Sequence, residues 1–426
     1  MLALIDCNNF FVSCERVFQP GLKNTPVVVL SNNDGCIISR SQEAKDLGIK
    51  MGEPLFKARP IIEQAGVRVF SSNFMLYGDM SQRVMQTLKK FGAVEVYSID
   101  EAFVDLSHVP AANLEKCAAT IREIIYQYLG LPVCVGIAPT KTLAKAANHL
   151  AKKNPAYNGT MLLDTPAKQA AARRHLAVEN IWGVGRRYAA KLHQHQVYTV
   201  ADLVDRSSGW VYKHLGGVVG VRLRQELLGQ PCQELSFKEE HVRKNIACTR
   251  SFSQYITTLN DLQEAVATYT SRAAEKLRRQ RSAAKAITVF IRTNKFSVQA
   301  PQYHRATTVS LPLASADTGE LIRYALQGLQ QIYQPGYSYK KAGVILSEII
   351  PEHQVQTDLF HTTDRSKSQK LMQALDKLNT KMSKNEWAIN AVGYAAAGIE
   401  KDWKMIVTRR SPRYTTHWQE ILEINI

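Results

Sequence analysis

No apolar run in these 426 residues approaches the roughly 20 that a helix needs to cross a bilayer, which excludes a membrane-spanning helix. The first residues carry no basic stretch ahead of the apolar run 2–5 and no small-residue cleavage site, so they read as a strand and not as a secretion signal. Cysteine is sparse: seven, an odd number, with no Cys-x-x-Cys pair among them. That argues against a disulfide framework or a zinc site and for the reducing cytoplasm. Acidic residues are the other shortage. There are 37 against 54 lysines and arginines, a net charge of +17, and such an excess calls for a polyanionic partner.

The excess is uneven. Residues 1–100 hold 11 Lys/Arg and 10 Asp/Glu, whereas residues 241–310 hold 12 and 3. A basic surface kept for solubility would not concentrate in this way, so the second segment is expected to contact nucleic-acid phosphates. Arg243, Lys244, Arg250, Arg292 and Lys295 are the candidates, near or within expected strands. Arg278, Arg279 and Arg281 stand at a helix end, where they complement the dipole.

One placement of acids organises the chain. Val94, Val96 and Ile99 lead into Asp100-Glu101, and Phe103, Val104 and Leu106 lead out, which predicts two short strands with a tight turn at the acidic pair. Adjacent carboxylates at a hairpin tip repel each other unless a cation lies between them, and a hard divalent ion is the natural choice. A solvated Asp-Glu turn is the alternative, and the apolar flanks weigh against it. Asp6 ends the apolar run 2–5, and residues 12–18 then read as a helix. Asp6, Asp100 and Glu101 on neighbouring strands would suffice for two-metal phosphoryl transfer. The amides of Asn9, Phe10 and Phe11, at that helix's N-terminus, would make an anion site.

Along the chain, strands at 27–30 and 36–39 flank an Asn-Asn-Asp-Gly turn, and helices at 42–47 and 54–64 precede a strand at 67–70. Asn73 caps a helix with Tyr77, Met80, Val84 and Leu88 at helical spacing. A helix at 111–129, a buried strand at 133–137 and a helix at 140–152 follow; the last carries Lys141 and Lys145 at i, i+4, with Lys152 and Lys153 beyond. This pattern predicts an α+β multidomain chain with a βαββαβ palm and a small insertion. From about 166 to 232 short helices are broken by glycines. Gly183 and Gly185, followed by Arg186 and Arg187, read as a helix-hairpin-helix whose backbone amides can hold a phosphate, and 215–220 reads as a poorer copy. After a polar linker, a strand at 247–252, a helix with Leu262, Val266, Tyr269, Ala273 and Leu277 on one face, strands around Ile287–Ile291 and 307–311, a helix at 317–333 and a strand at 342–346 make a second βαββαβ unit. Residues 351–426 show no legible pattern.

Several stretches carry a family resemblance: 6–15, Ser31-Asn32-Asn33-Asp34-Gly35-Cys36, 98–102, 136–145, Trp182-Gly183-Val184-Gly185, Gln356-Thr357-Asp358-Leu359-Phe360 and Ser411-Pro412-Arg413-Tyr414-Thr415-Thr416. The chain resembles the Y-family translesion DNA polymerases, and among them the UmuC-type catalytic subunits of bacterial DNA polymerase V. The resemblance implies a right-hand polymerase: palm 1–19 and 76–165, fingers 20–75, thumb 166–236, linker 237–246, little finger 247–350 and a C-terminal tail 351–426. It implies error-prone translesion synthesis in the SOS response, with two Mg²⁺ ions (Mn²⁺ as the substitute) on Asp6, Asp100, Glu101 and the Cys7 carbonyl. Lys45 and Lys152 match triphosphate-binding positions, although Lys45 stands where arginine is usual, Gln42 where tyrosine is common and Asn8 where a second aspartate is common. Phe11 matches the steric gate beneath the sugar 2′ carbon, with a core phenylalanine as the alternative. Lys141 and Lys145 beside the metal site suggest phosphate contacts. Gln356, Leu359 and Phe360 fit a sliding-clamp-binding peptide. The implied partners are primer-template DNA, deoxynucleoside triphosphates, the sliding clamp, a processed UmuD-type dimer and the RecA filament; no membrane is implied, and the location is the bacterial cytoplasm, at the nucleoid when engaged. Two other classes remain at this point: a metal-dependent nucleotidyl cyclase and a non-catalytic DNA-binding scaffold.

Overall fold

The computed structural model describes residues 1–236, 243–297, 299–356, 365–382, 392–399, 401–422. The chain forms two units, Met1–Glu239 with Thr408–Ile426, and Glu240–Val407.

The first unit is built on a five-stranded sheet. Its strands are β1 (Leu2–Cys7), β5 (Val94–Val96), β6 (Glu101–Asp105), β7 (Val133–Ala138) and β8 (Thr160–Leu162), in the order β5-β6-β1-β7-β8. β1 is central and antiparallel to both β6 and β7, so its unbroken apolar run is covered on both faces. The helix Lys141–Lys153 returns the chain to β8, which runs parallel to β7. It lies close because β7 offers Gly136: a Cβ there would stand 2.3 Å from the Asn148 backbone nitrogen. Asn148 also donates to the carbonyls of Leu4 (3.2 Å) and Cys134 (2.8 Å), tying this helix to two strands.

A second sheet in the same unit joins β2 (Val27–Leu30), β3 (Ile37–Arg40) and β4 (Arg68–Ser71) in the order β3-β2-β4, with β2 parallel to β4. The helix Phe74–Leu88 follows, capped by the Asn73 side chain as the sequence predicts. Beyond β8 come the helices Pro166–His175, Arg186–Gln194, Val200–Asp205, Ser208–His214 and Val218–Leu227. Their apolar residues share one core with Leu4, Phe103 and Ala138 of the five-stranded sheet.

The second unit has four antiparallel strands, β9 (Ile246–Ile256), β10 (Ser282–Thr293), β11 (His304–Ser315) and β12 (Tyr339–Pro351), in the order β11-β10-β12-β9. The helices Leu259–Arg279 and Thr318–Ile332 bury their apolar stripes against it. All four strands run past the expected limits. Arg278 does not simply complement a helix dipole. It forms a bidentate pair with Asp376 of the helix Arg365–Met382 at 2.7 Å on each side.

Residues 351–426 are not one tail. They divide at Thr408, and the last stretch belongs to the first unit. Among the described residues, no helix is long and apolar enough to cross a membrane.

Candidate active site

The β1–β6 register places Asp6 directly opposite Glu101, and the Cys7 amide donates to the Asp100 carbonyl at 2.9 Å. The turn between β5 and β6 is held by Ser98, whose hydroxyl donates to Asp100 Oδ1 at 2.6 Å and accepts from the Glu101 amide at 3.0 Å. Two lysines from the Lys141–Lys153 helix answer these acids. Lys152 Nζ lies 2.5 Å from Asp6 Oδ2, and Lys145 Nζ lies 2.8 Å from Glu101 Oε2. Burial pushes the Asp6 carboxyl up to about 7; Lys152 pulls it back, and Glu101 adds to the rise.

The Asp6 and Glu101 carboxyl groups are close enough to interact directly. Among the described residues, no three His, Cys, Asp or Glu side chains stand as a ready metal-holding group. The donor chemistry nevertheless suits a hard divalent cation: oxygen ligands on adjacent strands, one of them a buried acid whose charge is answered by a lysine. Burial also pushes the Cys7 thiol well above its usual range.

Beside the acids lies a cluster of cations. Burial lowers the pKa of Lys45, and repulsion from Arg40, Lys152 and Lys153 lowers it further. His149 is lowered by burial and then by Lys153 and Lys152. Lys45 and His149 thus lie among like charges, of which Lys152 is paired with Asp6. The sequence reading named Lys153 beside Lys152 but missed Arg40, whose signal, a base close to Lys45 in the chain, was present. The helix Phe10–Phe18 begins at this edge after Asn9, which is left-handed at φ 49°. Its first amides have no partner within the helix by geometry, and the Val12 amide takes Ser39 Oγ at 3.4 Å. The Phe11 ring stacks on Tyr77 at 4.6 Å and 16° and meets Phe74 edge-on.

Lys141 is not a surface cation. Its ammonium sits 2.6 Å from Glu95 and 2.8 Å from the Glu234 carbonyl, and the residue is 4% exposed. A phosphate contact would require breaking this internal pair. Lys145 lies over Tyr97 (4.4 Å) and Trp182 (5.2 Å), and the Trp182 indole donates to the Tyr97 hydroxyl at 3.1 Å. The Gly183–Gly185 hairpin is thereby seated beside the acidic turn. Gly183 has the positive φ its turn requires, 96°, and Arg186 and Arg187 are exposed. Only a 3₁₀ turn, Val178–Asn180, precedes this hairpin. The stretch read as a poorer copy is flanked by α-helices on both sides, Ser208–His214 and Val218–Leu227.

In the second unit Arg243, Lys244 and Lys295 are exposed, and Arg250 and Arg292 are half-buried on β9 and β10. Lys341 on β12 faces Arg292 in register, and its pKa is lowered by burial and then by Arg292 and Arg250. Lys341 completes a basic group that the sequence reading left incomplete. Gln356 is exposed; Leu359 and Phe360 lie outside the described residues.

The chain is similar to known proteins over its whole length. A family model described as the impB/mucB/samB family matches residues 5–149, its C-terminal domain matches 243–359, and a domain of unknown function (DUF4113) matches 369–424. The chain is 41% identical over 428 residues to Protein UmuC of Salmonella typhimurium, covering 100% of both. It is 41% identical over 424 residues to Protein MucB of Escherichia coli, covering 99% of each. DNA polymerase IV of Pelotomaculum thermopropionicum is 27% identical over 412 residues, covering 94% of this chain and 97% of that one. Among solved structures, a Y-family DNA polymerase chimera of Dbh and Dpo4 matches with a TM-score of 0.68 at 22% identity, over 82% of this chain and 99% of the other. An insertion ternary complex of Dbh DNA polymerase gives a TM-score of 0.55 at 22% identity, over the same shares. The structural matches show the fold: palm, fingers, thumb and little finger of a right-hand polymerase.

Proposed function

The chain belongs to the impB/mucB/samB family of Y-family DNA polymerases, enzymes of error-prone SOS translesion synthesis, and from that premise we propose how its own residues divide the work. Family membership sets aside the cyclase and the non-catalytic scaffold. It also carries an expectation of divalent-metal catalysis.

Asp6, Asp100, Glu101 and the Cys7 carbonyl are the groups that would hold Mg²⁺, with Mn²⁺ as the substitute. Two such ions, when bound, supply a nucleophilic primer 3′ oxygen and neutralise the departing pyrophosphate. The observation that carries the assignment is the register pairing of Asp6 with Glu101, each acid answered by its own lysine.

The remaining steps fall to the chain's own side chains. Lys45, Arg40, Lys152 and Lys153 bind the incoming triphosphate; their mutual repulsion supports this, since a polyanion relieves it. The Asn9, Phe10 and Phe11 amides lie at the same helix start. Phe11 occupies the space a ribose 2′ hydroxyl would need, which selects deoxynucleotides. Gly183, Gly185, Arg186 and Arg187 hold the DNA backbone, with Lys145 at the same edge. Arg243, Lys244, Arg250, Arg292, Lys295 and Lys341 grip phosphates through the second unit. We assign the domain limits as palm 1–19 and 76–165, fingers 20–75, thumb 166–236, linker 237–246, little finger 247–350 and C-terminal tail 351–426. Gln356, Leu359 and Phe360 dock the sliding clamp. A processed UmuD-type dimer and the RecA filament complete the assembly, in the cytoplasm at the nucleoid. The test of the catalytic assignment is primer extension by Asp100→Ala: extension falls to background, and full activity refutes the assignment.

A further inference from the structure

The last stretch of the chain, where the family model that matches is a domain of unknown function, belongs to the same unit as the site just described. It enters along β4, where the Ser71 amide donates to the Arg409 carbonyl at 3.0 Å and the Arg409 amide donates to Ser71 Oγ at 2.9 Å. It leaves past Tyr414, which stacks on Phe18 at 4.7 Å and 9°. Arg413 and Glu420 close it upon itself in an ion pair, and Arg413 holds the Glu420 carboxyl down at about 2. Between these anchors lies a buried polar relay. The Asn73 side-chain amide donates to Ser411 Oγ at 2.9 Å and to the carbonyls of Ser411 and Pro412 at 3.1 Å each. Ser411 Oγ donates to Glu15 Oε1 at 3.0 Å, and the Tyr77 hydroxyl donates to the same oxygen at 2.6 Å. Glu15 and Tyr77 are fully buried. Tyr77 is the ring on which Phe11 stacks.

Burying a carboxyl group is unfavourable unless donors compensate it. Here burial pushes the Glu15 carboxyl up, and the two hydroxyls counter the rise. Among the described residues its second oxygen has no hydrogen-bond partner. An apolar core residue would anchor a C-terminal strap more cheaply in free energy than this relay does. What the relay adds is direction: it fixes the Tyr77 hydroxyl, and through it the plane of the ring beneath Phe11. We propose that the C-terminal segment 408–420 is a positioning strap for the sugar gate, with Ser411 acting through Glu15 and Tyr77 on Phe11, so that the strap tunes discrimination between deoxy- and ribonucleotides.

The inference rests on Phe11 as the gate, and the experiment separates the two. Single-turnover incorporation of a deoxynucleotide and of its ribonucleotide counterpart is measured for the full-length chain, Phe11→Ala, Ser411→Ala, Ser411→Thr, Tyr77→Phe and the double variant Phe11→Ala/Ser411→Ala. Removing the Ser411 hydroxyl deletes one hydrogen bond to a buried acid, so Ser411→Ala is expected to lower discrimination about 3- to 10-fold, chiefly by admitting ribonucleotides. Ser411→Thr keeps the hydroxyl and restores discrimination. Tyr77→Phe keeps the stack, loses the hydroxyl and follows Ser411→Ala. In the Phe11→Ala background, Ser411→Ala has no further effect on discrimination, because the two act as one unit. If Phe11→Ala changes discrimination and neither Ser411→Ala nor Tyr77→Phe does, the strap inference is overturned while the gate stands. A Ser411→Ala enzyme that loses both nucleotides equally marks a merely structural strap and overturns it too. Unchanged discrimination in Phe11→Ala removes the gate assignment, and the inference with it.

Discussion

Asp6 and Lys141 are two charged residues of one unit, each paired inside the protein. Asp6 is paired with Lys152 at 2.5 Å, and burial still raises its carboxyl pKa. Lys141 already has its partners, Glu95 and the Glu234 carbonyl, inside the protein. The sequence could place Lys141 at i, i+4 from Lys145 but could not say which of them faces inward, because both steps fall on neighbouring strips of the helix. Removing Lys141 leaves the half-buried Glu95 with the Ser236 amide (2.7 Å) as its remaining donor, so Lys141→Ala is expected to cost about 1–3 kcal/mol of unfolding free energy. Chemical denaturation measures it. The salt dependence of DNA binding should be unchanged in that variant, and a lower salt slope would return Lys141 to the DNA interface.

At the scale of elements, legibility followed periodicity. The apolar run of β1, the Asn73 cap and the stripe Leu262, Val266, Tyr269, Ala273, Leu277 were all readable, because each is set by local sequence and buried against its own sheet or helix. The turn holding Asp100 and Glu101 was readable for the same reason. The strap at 408–420 was not. It has no repeat of its own and takes its order from β4, Glu15 and Asn73, over 300 residues away in the chain. The convergence of Lys145 and Lys152 on the acids was also hidden, since it depends on how closely a helix approaches β7. Gly136 sets that approach. Gly136→Ala would force a Cβ against the Ala144 carbonyl (2.4 Å) and the Asn148 backbone, moving both lysines together. It is expected to destabilise the first unit by about 1–3 kcal/mol and to weaken nucleotide incorporation. Single-turnover incorporation beside a melting curve checks this; wild-type values in both would show that the helix does not need the glycine.

The whole molecule carries its charge as a division of labour. Charge in the first hundred residues is nearly balanced, and the segment 241–310 carries about half of the basic excess. Replacing Arg243, Lys244, Arg250, Arg292 or Lys295 with alanine should weaken primer-template binding regardless of sequence. Each lost phosphate contact should lower the slope of log affinity against log salt by about 0.9 on duplex DNA. Alanine at Gln356, Leu359 and Phe360 should leave that slope untouched and reduce only clamp-stimulated synthesis. The central claim is that the acids of β1 and the β5–β6 turn perform the chemistry and do not hold the DNA. Its most direct test pairs two readings on one preparation of Asp100→Ala: primer-template affinity, and single-nucleotide incorporation with the sliding clamp, the processed UmuD-type dimer and a RecA filament supplied. The account predicts affinity near wild type and incorporation at background; incorporation at the wild-type rate would contradict it.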